Sequence, residues 1–260
     1  MTIKQHFSPF KSILITGASS GIGAALAKRY AQKDVFLFLC GRNKQRLEKV
    51  ANECRTLGAH VTIFSFDVTD ADAAHEAVNS ANSIQPLDLV IANAGVSSGI
   101  IGMPENTNAT TMIMKTNIFG VVHTILPAIE IFKAQKQGQI VLMSSMAGYR
   151  GLSSCPAYSA SKNCVKAWGE ALRGFLAKDN IKVNVICPGF IKTPLTDVNA
   201  FPMPFLMQPE KAARIIESGI RKNKPIIAFP HIMVFLVWFC SILPSFIFHP
   251  ILKLLPQKEK

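Results

Sequence analysis

Three side chains in this sequence have the types and spacing needed to move a proton at a polarised oxygen. Ser145 is followed thirteen positions on by Tyr158 and four positions later by Lys162, within SSMAGYRGLSSCPAYSASK (144–162). A free tyrosine titrates at about 10, so a nearby cation that favours the phenolate makes it usable as an acid or base at neutral pH. The segment after Pro156, AYSASKNCVKAWGEALRGFLA, predicts a helix with proline in its first turn. On that helix Tyr158 and Lys162 share a face one turn apart. Ser145 arrives from a different segment and would supply a hydroxyl to a substrate carbonyl oxygen. Tyr and Lys at this spacing also occur on many solvated helices, so the elements around them must decide.

Those elements repeat in a regular order. Ser12–Thr16 (SILIT) reads as a buried strand and GASSGIGAALAKRYAQK as a glycine turn leading into a helix from near Ser20. Gly17, Gly21 and Gly23 are spaced GxxxGxG. This differs from GxGxxG but meets the same need: a tight turn, close backbone approach to a pyrophosphate, and free N–H groups at a helix start. Further strands are expected at Val35–Cys40, His60–Phe66, Leu87–Ala92, Gln139–Ser144, Ile181–Cys187 and from Pro225, with helical segments between them. A long helical pattern from Glu105 to about Lys133 is expected to be interrupted by Gly120 and Pro127. A helix is expected from about Pro209 to Lys222. This alternation predicts a doubly wound parallel sheet of about seven strands with helices on both faces. Ligands of such sheets lie beyond the carboxyl ends of the strands, where the three glycines, Asn93, Ser145 and the Pro188–Gly189 turn all fall.

The second strand runs into Cys40-Gly41-Arg42-Asn43, with no carboxylate for a ribose 2′-hydroxyl. Arg42, helped by Lys44 or Arg46, would accept a 2′-phosphate, which favours NADP(H), with NAD(H) as the alternative. Asp67 stands where a carboxylate could reach an adenine amino group, or cap a helix. Asn117 sits mid-helix, where asparagine is unfavourable without a partner or a task. His123 is expected as a packed histidine.

Taken together, TGASSGIG (16–23), DVTD (67–70), NAG (93–95), Asn117, SSMAG (144–148), YSASK (158–162) and PGFIKT (188–193) strongly resemble the short-chain dehydrogenase/reductase family. They occur in its order and at its spacings, across residues 12 to about 195. The resemblance implies a Rossmann-like fold and interconversion of a carbonyl and an alcohol. Tyr158 would be the general acid/base, Ser145 would hold the substrate oxygen (Ser144 being the rival serine), and Lys162 would lower the tyrosine pKa and hold the nicotinamide ribose. Asn117 would position a water in a proton relay. Gly17, Ser19, Ser20, Gly21, Ile22, Gly23, Arg42, Asp67, Val68, Asn93, Ala94, Gly95, Pro188, Gly189, Ile191 and Thr193, together with Tyr158 and Lys162, would bind the cofactor. The rivals are a 3-oxoacyl thioester reductase and a non-catalytic NADP(H)-binding sensor or scaffold. Family members commonly form dimers or tetramers, and a homodimer or homotetramer is expected.

Composition narrows the partners. The net charge is +12, with 49% apolar and 17% charged residues, a pI near 9.6 and a mean hydropathy of +0.26. Lys and Arg are scattered rather than gathered in a basic run, which argues against nucleic acid. The six cysteines show neither CxxC nor zinc-ligand spacing, so no metal site is expected and all six read as reduced thiols in a cytoplasmic protein. The start of the chain lacks an apolar run long enough for a secretory signal.

The apolar surplus collects at 226–255, a run free of acidic residues and flanked in sequence by Arg221, Lys222, Lys224, Lys253, Lys258 and Lys260. A dehydrogenase domain over 1–230 and a hydrophobic extension over 231–260 are therefore distinguished. The extension would bury against the pocket or a partner subunit, lie in a membrane interface at the cytoplasmic face, or span a bilayer. Its longest proline-free piece is shorter than the ~20 residues that spanning needs. Phe190, Phe201, Met203, Phe205, Leu206 and Met207 are expected to cover the pocket, making the substrate lipophilic, or else to serve as lid or interface packing.

Overall fold

A computed structural model describes residues 9–97, 106–199 and 201–254. Seven parallel strands form one sheet in the order β3-β2-β1-β4-β5-β6-β7. They are β1 (Ser12–Thr16), β2 (Phe36–Gly41), β3 (His60–Ser65), β4 (Leu89–Ala92), β5 (Gly138–Met143), β6 (Ile181–Pro188) and β7 (Ile226–Phe229). Boundaries move by up to two residues from the sequence expectation, and the alternation is as expected.

The inner strands β1, β2 and β4 are apolar on both faces because both faces are covered, whereas the edge strand β3 is only partly buried. Ile13 and Ile15 of β1 point into one core layer and Leu14 into the other. The same alternation places Leu37 and Leu39 of β2 opposite Phe38 and Cys40, and Leu89 and Ile91 of β4 opposite Val90 and Ala92. The first layer is closed by α1 (Gly21–Tyr30), α2 (Lys44–Thr56) and α7 (Pro209–Arg221). The second is closed by α3 (Ala71–Ile84), by the long helix made of α4 (Thr107–Met114) and α5 (Gly120–Gln135), and by α6 (Pro156–Phe175).

The long helix corrects one expectation. Neither Gly120 nor Pro127 interrupts it; Pro127 is buried inside α5. Burying Val121, Ile125, Ala128 and Phe132 against the sheet outweighs the one backbone bond that proline forgoes. The irregularity lies earlier, in a π turn over Lys115–Phe119 that joins α4 to α5. The Gly120 N–H there reaches back five residues to the Lys115 carbonyl. This helix, Thr107–Gln135, is also the one described helix long and apolar enough to cross a membrane, and more than half of its apolar window is buried inside the domain.

After β7 come two short helices, α8 (His231–Ile242) and α9 (Ser245–Leu254). α8 starts at the carboxyl end of β7, so it stands at the same edge of the sheet as the ends of β1 and β4.

Candidate active site

Strand order reverses between β1 and β4, and at that crevice the chain turns tightly after β1. Gly17 has a φ of 65°, a left-handed conformation that only glycine adopts without strain. Gly23 is required for a different reason. A Cβ there would run into the Gly17 carbonyl oxygen and stand 2.6 Å from the Asn93 amide. Asn93 fixes the turn from the β4 side, donating from Nδ2 to the carbonyls of Thr16 (3.0 Å) and Gly17 (3.2 Å). The Thr16 hydroxyl accepts from the backbone N–H groups of Asn93 and Ala94. The result is a bare backbone cradle at the N-terminus of α1.

A cleft of about 340 Å³ runs from this cradle to Tyr158. Of the residues singled out from sequence, Gly17, Ser19, Ser20, Gly21, Ile22, Arg42, Asp67, Val68, Asn93, Ala94, Gly95, Ser145, Tyr158, Lys162, Pro188, Gly189, Ile191 and Thr193 line it. Gly23 and Asn117 do not: Gly23 lies behind the turn, and Asn117 is fully buried. Sequence reasoning passed over Phe66, Val96, Thr116, Pro194 and Leu195, which also line the cleft. Their only signal was a position just beyond strand ends or on the long helix. Among the described residues, no three of His, Cys, Asp and Glu gather into a metal site.

At one end of the cleft, Arg42 and Arg46 line the wall beyond β2, while Lys44 does not. Arg42 Nη1 lies 3.4 Å from Asp67 Oδ2. Partial burial of Asp67 opposes ionisation, but bonds from the Thr69 N–H and hydroxyl and the nearby Arg42 outweigh it and lower its pKa. The cap of α3 is Asp70, whose Oδ1 accepts from the Ala73 N–H, so Asp67 is free of that task.

At the other end stand the three residues of the opening pattern. Ser145 follows β5, and its hydroxyl both accepts from the Ala147 N–H at 3.2 Å and bonds to the Tyr158 hydroxyl. Ser144 also borders the cleft, but its hydroxyl is engaged, donating to the Lys162 carbonyl at 2.7 Å. The Lys162 ammonium is buried, donates to the Met143 carbonyl at 2.9 Å and lies 5.7 Å from the Tyr158 ring centre. A Cβ on Gly95 would stand 3.2 Å from both Lys162 Nζ and Asn117 Oδ1, so these two side chains converge behind the cleft.

The π turn aims Asn117 inward. Its Oδ1 accepts from the Val96 N–H at 2.8 Å, and its Nδ2 donates to the Val96 carbonyl and to the Ser161 hydroxyl. Both donors are thus engaged in clamping the loop after β4 to α6. That answers the mid-helix asparagine: its partners are backbone and Ser161.

Burial dominates the electrostatics of this end of the cleft. Burial pushes the Tyr158 phenol up to about 12, with the Ser145 hydrogen bond opposing it. The lysine is displaced in the other direction, down to about 8, also by burial. In both cases desolvation penalises the charged form, the tyrosinate of Tyr158 and the ammonium of Lys162. Tyr158 therefore keeps its proton at neutral pH.

A second correction concerns the apolar stretch after β6. None of Phe190, Phe201, Met203, Phe205, Leu206 and Met207 lines the cleft. Met207 belongs to the first core layer and forms a bridge with Ile191, while Phe190 packs edge-on against Phe201. Phe205 and Leu206 face solvent. Their apolar character was legible; their direction was not, because it depends on how the loop closes onto Ile191.

A family model described as short chain dehydrogenase matches residues 11–200. The chain belongs to the short-chain dehydrogenase/reductase family. Over 240 residues it is 35% identical to an uncharacterized oxidoreductase of Myxococcus xanthus, covering 92% of this chain and 95% of that one. Among solved structures, this short-chain dehydrogenase/reductase superposes on a short-chain type dehydrogenase/reductase from Mycobacterium marinum with a TM-score of 0.74 at 27% identity, covering 84% and 92% of the two chains. A short-chain dehydrogenase from Sphingobium yanoikuyae, solved in complex with NADPH, shares the fold at a TM-score of 0.77 and 22% identity, covering 96% and 98%. The family assignment makes the chain an oxidoreductase that binds a small-molecule substrate and a cofactor.

Proposed function

We propose that this protein is an NADP(H)-dependent oxidoreductase that interconverts a carbonyl and a secondary alcohol on a lipophilic substrate, with Tyr158 as general acid/base. One observation carries the reading: the Ser145–Tyr158 hydrogen bond and the buried Lys162 ammonium meet at the end of the same cleft that begins in the glycine cradle. The cradle fits a pyrophosphate, since the turn around Gly17 and Gly23 has no room for side chains. Arg42 and Arg46 face the cleft where a ribose 2′-phosphate would sit, and no carboxylate lies between Cys40 and Arg46 to favour a 2′-hydroxyl. A bound nicotinamide would supply or accept the hydride.

The chain's own residues do the rest. Ser145 donates to the substrate oxygen and steadies the negative charge that develops there. Tyr158, protonated at neutral pH, delivers its proton to that oxygen in the direction of reduction. Lys162, still charged below about 8, stabilises the tyrosinate left behind. Asn117 keeps the 93–96 loop and α6 in register. The apolar substrate class is supported by Met233 of α8, which packs against Gly189 at the cleft edge.

The test is NADPH oxidation with a panel of apolar ketones and aldehydes, using wild type and Tyr158→Phe. The variant is expected to bind NADPH with unchanged affinity while its turnover falls by roughly 10²- to 10⁴-fold, the usual contribution of a positioned acid. Reduction by wild type is expected to decline as pH rises through about 8, where Lys162 gives up its charge. A variant as active as wild type would remove Tyr158 from the mechanism.

A further inference from the structure

α8 is apolar on the side that faces the protein and equally apolar on the side that does not. Met233, Val234, Val237 and Cys240 are half-buried, at the spacing of one helix face. The opposite face carries Ile232, Phe235, Leu236, Trp238, Phe239 and Ile242, each between 47% and 62% exposed. At 100° per residue these six span an arc of roughly 160°. A helix resting on a soluble domain presents polar residues outward, and one that is apolar all round is normally covered. Phe246 and Ile247 of α9 extend the exposed surface, with Phe246 at 77%.

We propose that α8, with the start of α9, lies flat in the interface of an anionic bilayer and holds the cleft mouth at the membrane surface. At 12 residues α8 is about 18 Å long against a hydrocarbon core of about 30 Å, so it does not span. A helix in that setting must satisfy its polar groups, and the carboxyl end of α8 does so within the protein. The Ser241 hydroxyl donates to the Trp238 carbonyl at 2.7 Å. Arg150 Nη1 donates to the carbonyls of Cys240, Ser241 and Leu243 at the carboxyl end, and the guanidinium stacks 4.3 Å over the Phe248 ring.

Charge favours an anionic surface. The chain carries +12, and residues 218–258 contain no Asp or Glu. The basic flank is split in space: Arg221, Lys222 and Lys224 precede β7 and lie at the far edge of the sheet, while Lys253 lies on α9. Lys192 is exposed in the loop after Gly189, at the cleft edge. A second copy of the chain is the rival occupant, and the lipid-free arm of the test below distinguishes it.

The experiment is flotation of the full chain with phosphatidylcholine vesicles and with mixed phosphatidylcholine–phosphatidylserine vesicles, alongside sedimentation without lipid. It is independent of the proposed reaction. Wild type is expected to float with the anionic vesicles, and Phe235→Glu/Phe239→Glu to partition about 100-fold less. The two melting temperatures are expected to agree, since both side chains face away from the domain; Trp238→Ser serves as a second, milder variant. Failure of wild type to float, or equal flotation of all variants, overturns the proposal. So does a lipid-free dimer that the double variant dissolves while vesicles capture nothing.

Discussion

At Lys162 the protein keeps a buried cation at the end of the cleft. The residue is 3% exposed, and burial brings its pKa from 10.5 to about 8. Below about 8 the lysine is protonated in both folded and unfolded chains, so the full cost of burying the charge, about 3 kcal/mol, is present. Between about 8 and 10.5 the folded chain has released the proton and the unfolded chain has not, so stability gains with rising pH. Lys162→Met is therefore expected to melt several degrees higher than wild type at pH 7, at about 2–4 °C per kcal/mol, and the gap is expected to close towards pH 10.5. Thermal melts across that range check it; a variant that melts lower at every pH would show that the bond to Met143 outweighs the buried charge. The type and spacing of Ser145, Tyr158 and Lys162 were legible in the sequence, but the sign of their pKa displacements was not. Spacing along a helix reports neighbours, whereas desolvation depends on everything packed around them.

The turn between β1 and α1 depends on contact at backbone level. In Gly23→Ala the new methyl meets the Gly17 carbonyl, which is backbone, and the Asn93 amide, which can move only by giving up its bonds to the Thr16 and Gly17 carbonyls. The variant is expected to lose about 1–3 kcal/mol of stability, the usual cost of overpacking, and to bind NADPH more weakly because the cradle must open. Thermal melting and a fluorescence titration with NADPH report the two effects; unchanged affinity would mean that the cradle is not the pyrophosphate site. The strands were the most legible elements, because residues buried on both faces leave uninterrupted Val, Ile, Leu and Phe runs. The long helix was less legible. Gly120 and Pro127 are local break signals, and tertiary burial of Val121, Ile125 and Phe132 overrides them. The π turn that aims Asn117 left no sequence trace beyond the misplaced asparagine.

Across the whole molecule, the parallel topology gathers every site residue at one edge and brings α8 to that edge as well. Sequence order suggested basic residues flanking the tail; the fold sends Arg221, Lys222 and Lys224 to the opposite edge, because a strand separates them from α8. The feature with no sequence signal at all was Arg150, whose partners lie about 90 residues away. Arg150→Ala leaves the terminal carbonyls of α8 without their donor and is expected to raise amide exchange at least several-fold in 231–243, with the β1–β6 amides unaffected. Exchange rates in α8 that match wild type would show that packing on β7 alone holds it. Arg150 lies in the segment between Ser145 and Tyr158, so one guanidinium fastens both the reactive loop and the tail. Coupling through such a fastening is reciprocal. Whatever steadies that loop, a ligand in the cleft included, steadies α8 by the same free energy, and whatever seats α8 returns it to the loop.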